Sequence, residues 1–499
     1  VPPAGRDALM ARVARVRLVP LVENVGALAH LPDLLESFYA MLERNRGVPG
    51  LPSASSFVTR DDGPAIVRVF VAMSDTAEQS GKIATDTAYT LMTAGRESAE
   101  RRLADHARRA GEPAPRVTFL VGAGRAGFRG GFDPAHDGVI AQFARAGGVT
   151  LQGIRADAPA DAERLAAKYR EACASPRPAA AVNAADVESL SRLLEAGVRA
   201  HTATLLAVAP LVAPFGGLVP QTRVRIRATG SVNYGRSIPE YPEEWGGGSS
   251  LPDNRDLRDA WPEGVTLPRA IVFNLGCTTL GLPAVVSDLA ALDKRGAVLL
   301  ERHAPGYREI LASELPCFVR EAVALVFGQK FAEATARRCR RASAAIWADV
   351  RVHEPLVLPT CLFAMVYLRY VAEDSDSWDE TKEHESLPTR ESELIRDTSS
   401  GVFSAICAER PGDRWPVLQT LVDGDEAARL LLARELTIEE KREFVDLRIE
   451  GWLRGLPDGF SRELRRAWAP LRELDKNALT LRAIEQLIAL EELRGSRGA

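Results

Sequence analysis

The sequence has little that would suit a membrane, a nucleic acid or an oxidising environment. No run approaches the roughly 18 consecutive apolar residues of a spanning helix, and the most apolar stretch, 205–219, is interrupted by Pro210 and Pro214. No signal peptide is legible. Basic residues are not in excess: 63 Lys and Arg stand against 67 Asp and Glu, a net charge of -4, which argues against binding a nucleic-acid backbone. Lysine occupies seven positions, so arginine supplies nearly all of the positive charge. The six cysteines, Cys173, Cys277, Cys317, Cys339, Cys361 and Cys407, are scattered, with no C-x-x-C pair and no histidines at zinc spacing. That excludes a disulfide framework and a zinc site and leaves reduced thiols in a cytoplasmic protein. Also missing are a G-x-S-x-G elbow, a P-loop and an H-E-x-x-H helix, so hydrolase triads and zincin chemistry have no support. There is no internal repeat.

What is there is the composition of a globular chain with a sizeable core: 499 residues, 46% hydrophobic and 26% charged. Over the first 160 residues one pattern recurs, in which a short β-rich run ends in polar or glycine residues and an amphipathic segment of helical period follows. The spacing predicts strands at 16–23 (VRLVPLVE), 66–75 (IVRVFVAMSD), 117–124 (VTFLVGAG) and 149–155 (VTLQGIR), with helices at 31–44, 83–110 and 133–146. Strand and helix in alternation imply parallel strands joined by right-handed crossovers, hence a doubly wound sheet or a (β/α) barrel. A long apolar helix is expected over 187–208, stopped by Pro210, and a further strand over 222–236. Residues 240–264 are rich in proline, glycine and acid and read as a loop excursion. From 267 the pattern is mostly helical, with an acidic break at 373–400.

The residues able to do chemistry fall at predicted strand ends. Glu23, Asp75, the glycine-rich loop and Gln152 with Arg155 all follow apolar runs, and barrel folds assemble their active sites at the carboxyl ends of strands. Two carboxylates with water and substrate oxygens are how Mg²⁺, or Mn²⁺ in its place, is usually held. Each carboxylate also reads as a cap for the helix that follows. The segment VTFLVGAGRAGFRGG, 117–131, places five glycines and two arginines within ten residues. Glycine lets backbone approach a ligand, and arginine offers a planar fork of donors to phosphate or carboxylate. Arg125, Arg129, Arg155, Arg236 and Arg269 form a candidate anion-binding set around the metal. GAGRAG at 122–127 also matches a dinucleotide fingerprint, although Phe128, Arg129 and the glycines after them stand where its helix should run, and no acidic strand end follows about 20 residues on. His136 begins a helix, with Asp133 as its expected cap.

These segments, in this order, resemble the archaeal-type phosphoenolpyruvate carboxylases. VPLVEN resembles the strand carrying that family's metal-binding glutamate. RVFVAMSDTAEQSG is similar to its R-V-F-x-A-R-S-D-P-A-x-x-Y-G segment, VGAGRAGFRGGFDP to its G-x-G-S-x-P-F-R-G-H-x-x-P loop, and VTLQGIRAD to its T-F-T-x-Q-S-A-F-R-Y-D strand. GSVNYGRSIP and LPRAIVFNLGCTTLGLPAVV are similar to its G-Y-S-R and L-P-R-A-I-x-F-x-x-x-x-Y-S-x-G-x-P-P motifs. The resemblance implies an incomplete (β/α) TIM-like barrel with a large α-helical C-terminal region. Residues 1–240 would be a partial barrel with metal and substrate loops, 241–266 an excursion, 267–372 a helical region packed on the barrel, 373–400 a linker and 401–499 a helical subdomain.

It also implies that Glu23 and Asp75 bind Mg²⁺ and that Arg129, Arg236 and Arg269 are catalytic and grip phosphoenolpyruvate. Gly122, Gly124, Gly130, Gln152 and Arg155 would line the same pocket. The implied reaction is attack of bicarbonate on phosphorus, giving carboxyphosphate and the pyruvate enolate, then capture of carbon dioxide as oxaloacetate, without biotin. A cytoplasmic homo-oligomer, a tetramer by family resemblance, is expected. The sequence departs from the family at Met73, where an arginine stands, at the GFRGGF run and at Ala156. The family's histidine segment S-T-Q-H-P-D-N, which precedes the metal-binding glutamate, is not found after Val1. Two other readings use the same residues: a divergent metal-dependent lyase or aldolase on a 2-oxo or phosphoenol acid, and a non-catalytic metabolite-binding paralogue.

Overall fold

The computed structural model describes residues 18–46, 48, 51, 54–59, 65–124, 136–152, 159–174, 181–212, 270–283, 287–346, 354–373 and 438–474. They form two compact units. One holds the residues up to His201 together with Ala290–Leu311; the other holds those from Thr202 to Leu289 and from Ala312 onward. The chain order in the first is β1 (Leu21–Val22), α1 (Val25–Ala29), α2 (Leu31–Arg44), α3 (Ala54–Phe57), β2 (Val58–Thr59), β3 (Ile66–Ala72), α4 (Met73–Ser80), α5 (Lys82–Arg109), β4 (Arg116–Gly124), α6 (Asp137–Ala144), β5 (Gly147–Gln152), α7 (Pro159–Ala174) and the greater part of α8 (Ala184–Val212).

The sheet of this unit runs β1-β3-β4-β5, every neighbouring pair parallel, with β2 antiparallel to the start of β3. Its register follows from period-two patterning. Val67, Val69 and Val71 of β3 lie beside Val117, Phe119 and Val121 of β4, and all six are buried. The other face carries Arg68, Phe70, Thr118 and Leu120 and stays partly exposed. A β-branched ladder on one face satisfies both strand propensity and burial at once. Helix α5, at 28 residues, is the long crossover from β3 to β4. Its Gly95 admits α2, because a β-carbon there would stand 3.2 Å from the Pro32 ring. Glu309 closes the amino end of α6, its Oε2 accepting from the Gly138 and Val139 amides at 2.7 and 3.2 Å.

Several expectations change. The second predicted strand, 66–75, stops at Ala72, and α4 begins at once, so Asp75 is the third residue of a helix and not a strand end. The polar run after Ala72 favours helix over extended chain, since Thr76 can return its hydroxyl to the Ala72 carbonyl at 2.8 Å. The first predicted strand contracts to Leu21–Val22 among the described residues. Helix α8 continues past Pro210 to Val212 instead of stopping before it. A closed barrel is not seen among the described residues, whose sheet has four parallel strands and one short antiparallel one. The expected strand at 222–236 and the excursion at 240–264 lie outside the described residues, as does 374–400 of the acidic break.

The second unit is helical among its described residues. After α9 (Ala270–Thr279), α10 (Lys294–His303) and α11 (Gly306–Glu314), of which α10 and the start of α11 belong to the first unit, come α12 (Arg320–Phe327), α13 (Gln329–Ile346), α14 (Glu354–Glu373), α15 (Ile438–Arg454) and α16 (Asp458–Arg472). Helix α14 is buried on all sides over Thr360–Leu368, as its apolar sequence requires, and α12, α15 and α16 pack on it. Arg448 Nη2 and Trp452 Nε1 of α15 donate to the Leu325 and Glu321 carbonyls of α12 at 2.9 and 3.1 Å. No helix among the described residues is long and apolar enough to cross a membrane.

Two glycines of this unit separate conformation from space. Gly281 and Gly328 both have φ in the left-handed region, 77° and 91°. A β-carbon at Gly281 would also lie 2.9 Å from Val319 Cβ, whereas at Gly328 it would meet nothing within 4 Å. Gly328→Ala should therefore cost about 1 kcal/mol and Gly281→Ala about 2–4 kcal/mol in a urea unfolding titration; equal costs would remove the steric argument.

Candidate active site

In a parallel sheet every strand delivers its carboxyl end to the same edge. Here Val22 pairs with Val71, Ala72 with Gly122, and Gly124 with Gln152. The edge is therefore nearly flush. It carries Glu23 directly after β1, the start of α4 with Asp75 in its first turn after β3, Gly122 and Gly124 in the last rungs of β4, and Gln152 as the last residue of β5. Strands lie about 4.8 Å apart, so the ends of β1 and β3 are immediate neighbours, and the four ends span roughly three strand spacings.

The structure separates the two readings of Glu23. The N-cap of α1 is Asn24, whose Oδ1 accepts from the Ala27 amide at 2.8 Å. The cap is filled, and Glu23, half-buried, stands one residue before it. Asp75 occupies the third position of α4, in the first turn, where the helix dipole favours a carboxylate. Gly122 and Gly124 lie inside the β4 ladder and not in a turn. A dinucleotide fingerprint needs its first glycines in the strand-to-helix turn, so this placement does not match one. A β-carbon at Gly122 would meet the Phe70 ring and the Val71 carbonyl at an ordinary 3.5 Å. Arg125, Arg129, Gly130, Arg155, Arg236 and Arg269 lie outside the described residues.

What sequence reasoning missed is the polar interior beyond Asp75. From Thr76 to Met92, α4 and the first half of α5 are buried on every face, including Glu78, Gln79, Ser80, Lys82 and Asp86. Gln142 Nε2 of α6 donates to Asp86 Oδ1 at 2.6 Å, and the Tyr89 hydroxyl donates to the Gln142 carbonyl at 3.1 Å. Burial pushes the Tyr89 phenol well up, so it remains a neutral donor. His201 of α8 reaches the Glu78 carbonyl at 2.6 Å. The signal was present: TAEQSGKIATDTAYT has no consistent apolar stripe, and a helix without one that follows a site strand is either exposed or enclosed by partners.

The donor set at the edge suits a hard cation. Glu23, directly after β1, and Asp75, in the first turn of the helix after β3, are oxygen donors of the kind that hold Mg²⁺ together with water and substrate oxygens. No cluster of three or more His, Cys, Asp or Glu that could hold a metal occurs among the described residues, so an all-protein cage of the zinc or calcium kind is not seen there.

A family model described as phosphoenolpyruvate carboxylase matches residues 8–349. The chain belongs to the archaeal-type phosphoenolpyruvate carboxylase family. It is 26% identical over 311 residues to the phosphoenolpyruvate carboxylase of Methanosarcina acetivorans, covering 60% of this chain and 53% of the relative. To that of Methanosarcina mazei it is 24% identical over 314 residues, with the same coverage. The chain spans about half the length of the curated relatives it matches. The match takes in β1 through β5, and so the whole carboxyl edge.

His201 makes this unit sensitive to acid. Burial pushes its imidazole down from 6.5 to about 4, with the bond to the Glu78 carbonyl opposing that shift. The unfolded chain therefore takes up the proton first. Stability is full above pH 6.5 and is lost as pH falls toward 4, by on the order of 3 kcal/mol. The His201→Gln variant should show a flatter urea-stability profile than the parent between pH 6.5 and 4, and parallel profiles would mean that His201 is already charged in the folded state.

Proposed function

We propose that the chain carries the metal- and substrate-binding edge of a phosphoenolpyruvate carboxylase, an enzyme that joins phosphoenolpyruvate and bicarbonate to give oxaloacetate and phosphate. The single observation that supports this reading is the adjacency of the β1 and β3 carboxyl ends, after which Glu23 and Asp75 follow by one and three residues. The sequential order β1-β3-β4-β5, with no reversal, is that of an arc of a (β/α) barrel, and a TIM-like barrel is the architecture proposed for the whole site.

In this reading Glu23 and Asp75 hold Mg²⁺ or Mn²⁺. A divalent ion supplies electrostatic stabilisation for the oxygen that becomes negative when the phosphoryl group leaves. Arg129, Arg236 and Arg269 bind and orient the phosphoryl and carboxylate groups, which planar guanidinium forks do well. Gly122 and Gly124, in the last rungs of β4, and Gly130 would let backbone come close to the phosphate, and Gln152 and Arg155 would line the same pocket. Enclosure by these loops keeps water from protonating the enolate before carbon dioxide is captured. The protein would act in the cytoplasm as a homo-oligomer, without nucleic acid or membrane.

The test is an oxaloacetate-coupled assay with phosphoenolpyruvate, bicarbonate and Mg²⁺. Oxaloacetate formation that requires all three is expected, and Asp75→Asn should lower it by about 100-fold or more with far-UV circular dichroism unchanged. Turnover unaffected by Asp75→Asn would sink the metal assignment, and consumption of phosphoenolpyruvate independent of bicarbonate would sink the carboxylase.

A further inference from the structure

Helix α4 is an unusual carrier for a metal ligand. It is eight residues long, about 12 Å at 1.5 Å per residue, and a helix of that length has no stable orientation of its own. One end is fixed covalently, because Met73 follows the last residue of β3 with no intervening loop. The other end stops at Gly81, whose φ of 93° turns the chain into α5. The Glu78 carbonyl belongs to this last turn. It accepts a hydrogen bond from His201 Nε2 at 2.6 Å. A carbonyl oxygen can only accept, so the imidazole is in the tautomer with its proton on Nε2.

A second observation places α8 firmly against the same corner. One turn before His201, a β-carbon at Gly197 would stand 3.2 Å from Ala84 Cβ and 3.5 Å from the Ala84 nitrogen. Only a residue without a side chain allows that approach with ordinary contacts. Gly197 and His201 are four apart and therefore share one face of α8, and both are buried. The glycine brings the helices together, and the histidine bridges the remaining distance to the α4 backbone.

We propose that His201 is a positioning residue for the metal site, fixing the α4 backbone, and with it Asp75 one turn away, against the end of β3. The inference rests on the reading of Asp75 as a metal ligand. It assigns to a residue 126 positions further along the chain a share in metal affinity without contact with the metal. A donor is needed at the Nε2 position; charge is not.

Mn²⁺ titration followed by electron paramagnetic resonance tests this without recourse to turnover. His201→Leu keeps the volume and removes the donor, and should weaken Mn²⁺ binding by about tenfold or more, in the range typical of groups that orient metal ligands. His201→Gln, whose amide reaches to the Nε2 position, should restore binding to within about threefold of the parent, a recovery that mere filling of the core would not give. Asp75→Asn in the same titration should abolish binding. Parent-like affinity in a cooperatively melting His201→Leu protein, with Asp75→Asn still abolishing binding, would overturn the tether and leave Asp75 as a ligand. Parent-like affinity in Asp75→Asn would overturn the metal reading and the tether together. Should His201→Leu not melt cooperatively, His201→Asn, whose amide is too short for the carbonyl, is judged by the same criterion.

Discussion

The register of β3 against β4 is the constraint on which the first unit depends. Seven consecutive pairs, from Ile66 with Arg116 to Ala72 with Gly122, align the two strands. Because strand side chains alternate, a slip of one residue would exchange faces, bringing Arg68 into the core and Val69 out of it. The buried Val and Phe ladder makes that slip costly. With register set, the parallel direction of β1, β3, β4 and β5 sends all four carboxyl ends to one edge, and every candidate group at that edge inherits its place from the ladder.

The helices behind the edge solve a different problem. Helices α4 and α5 follow a site strand and are enclosed through Met92, yet their sequence is polar. Threonines make this tolerable: Thr76, Thr85, Thr87 and Thr90 return their hydroxyls to the carbonyls of Ala72, Gly81, Ile83 and Asp86 at 2.7–2.9 Å, so their polar groups are satisfied inside the helix. Asp86 draws on Gln142, and the Glu78 carbonyl on His201. Buried polar groups joined in this way specify one arrangement, because any displacement leaves a donor or acceptor unpaired. The second unit shows a smaller case, where buried Arg369 pairs with Asp446, which Arg472 also approaches, each at 3.4 Å.

How far the sequence could be read varied with the kind of signal. Helix α2 matches its expected limits of 31–44 at both ends, since its apolar positions keep helical period and Pro32 marks its start. Strand β4 matches within one residue. The end of β3 did not, because IVRVFVAMSD stays apolar through Met73, while the chain turns into α4 directly after Ala72, where Thr76 bonds back to the Ala72 carbonyl. Pro210 misled in the opposite sense: the long helix carries the chain two residues past it. For the site, the edge positions of Glu23, Gly122, Gly124 and Gln152 were legible as ends of apolar runs. The capping role left open for Glu23 was not, as it turned on which of two adjacent polar residues faced the Ala27 amide.

The sequence by itself determined the alternation of strand and helix, the side of each strand that is buried, and the family, because these rest on local periodicity and on motifs contiguous in the chain. Only the tertiary structure decided that Asn24 and not Glu23 caps α1, that Asp75 stands on a helix, and that His201 meets the α4 backbone. Those outcomes depend on groups far apart in sequence, or on competition between neighbours for one amide, and neither has a period along the chain. A hydrogen bond from residue 201 to residue 78 exists only once the sheet has set where α4 begins and Gly197 has let α8 come close.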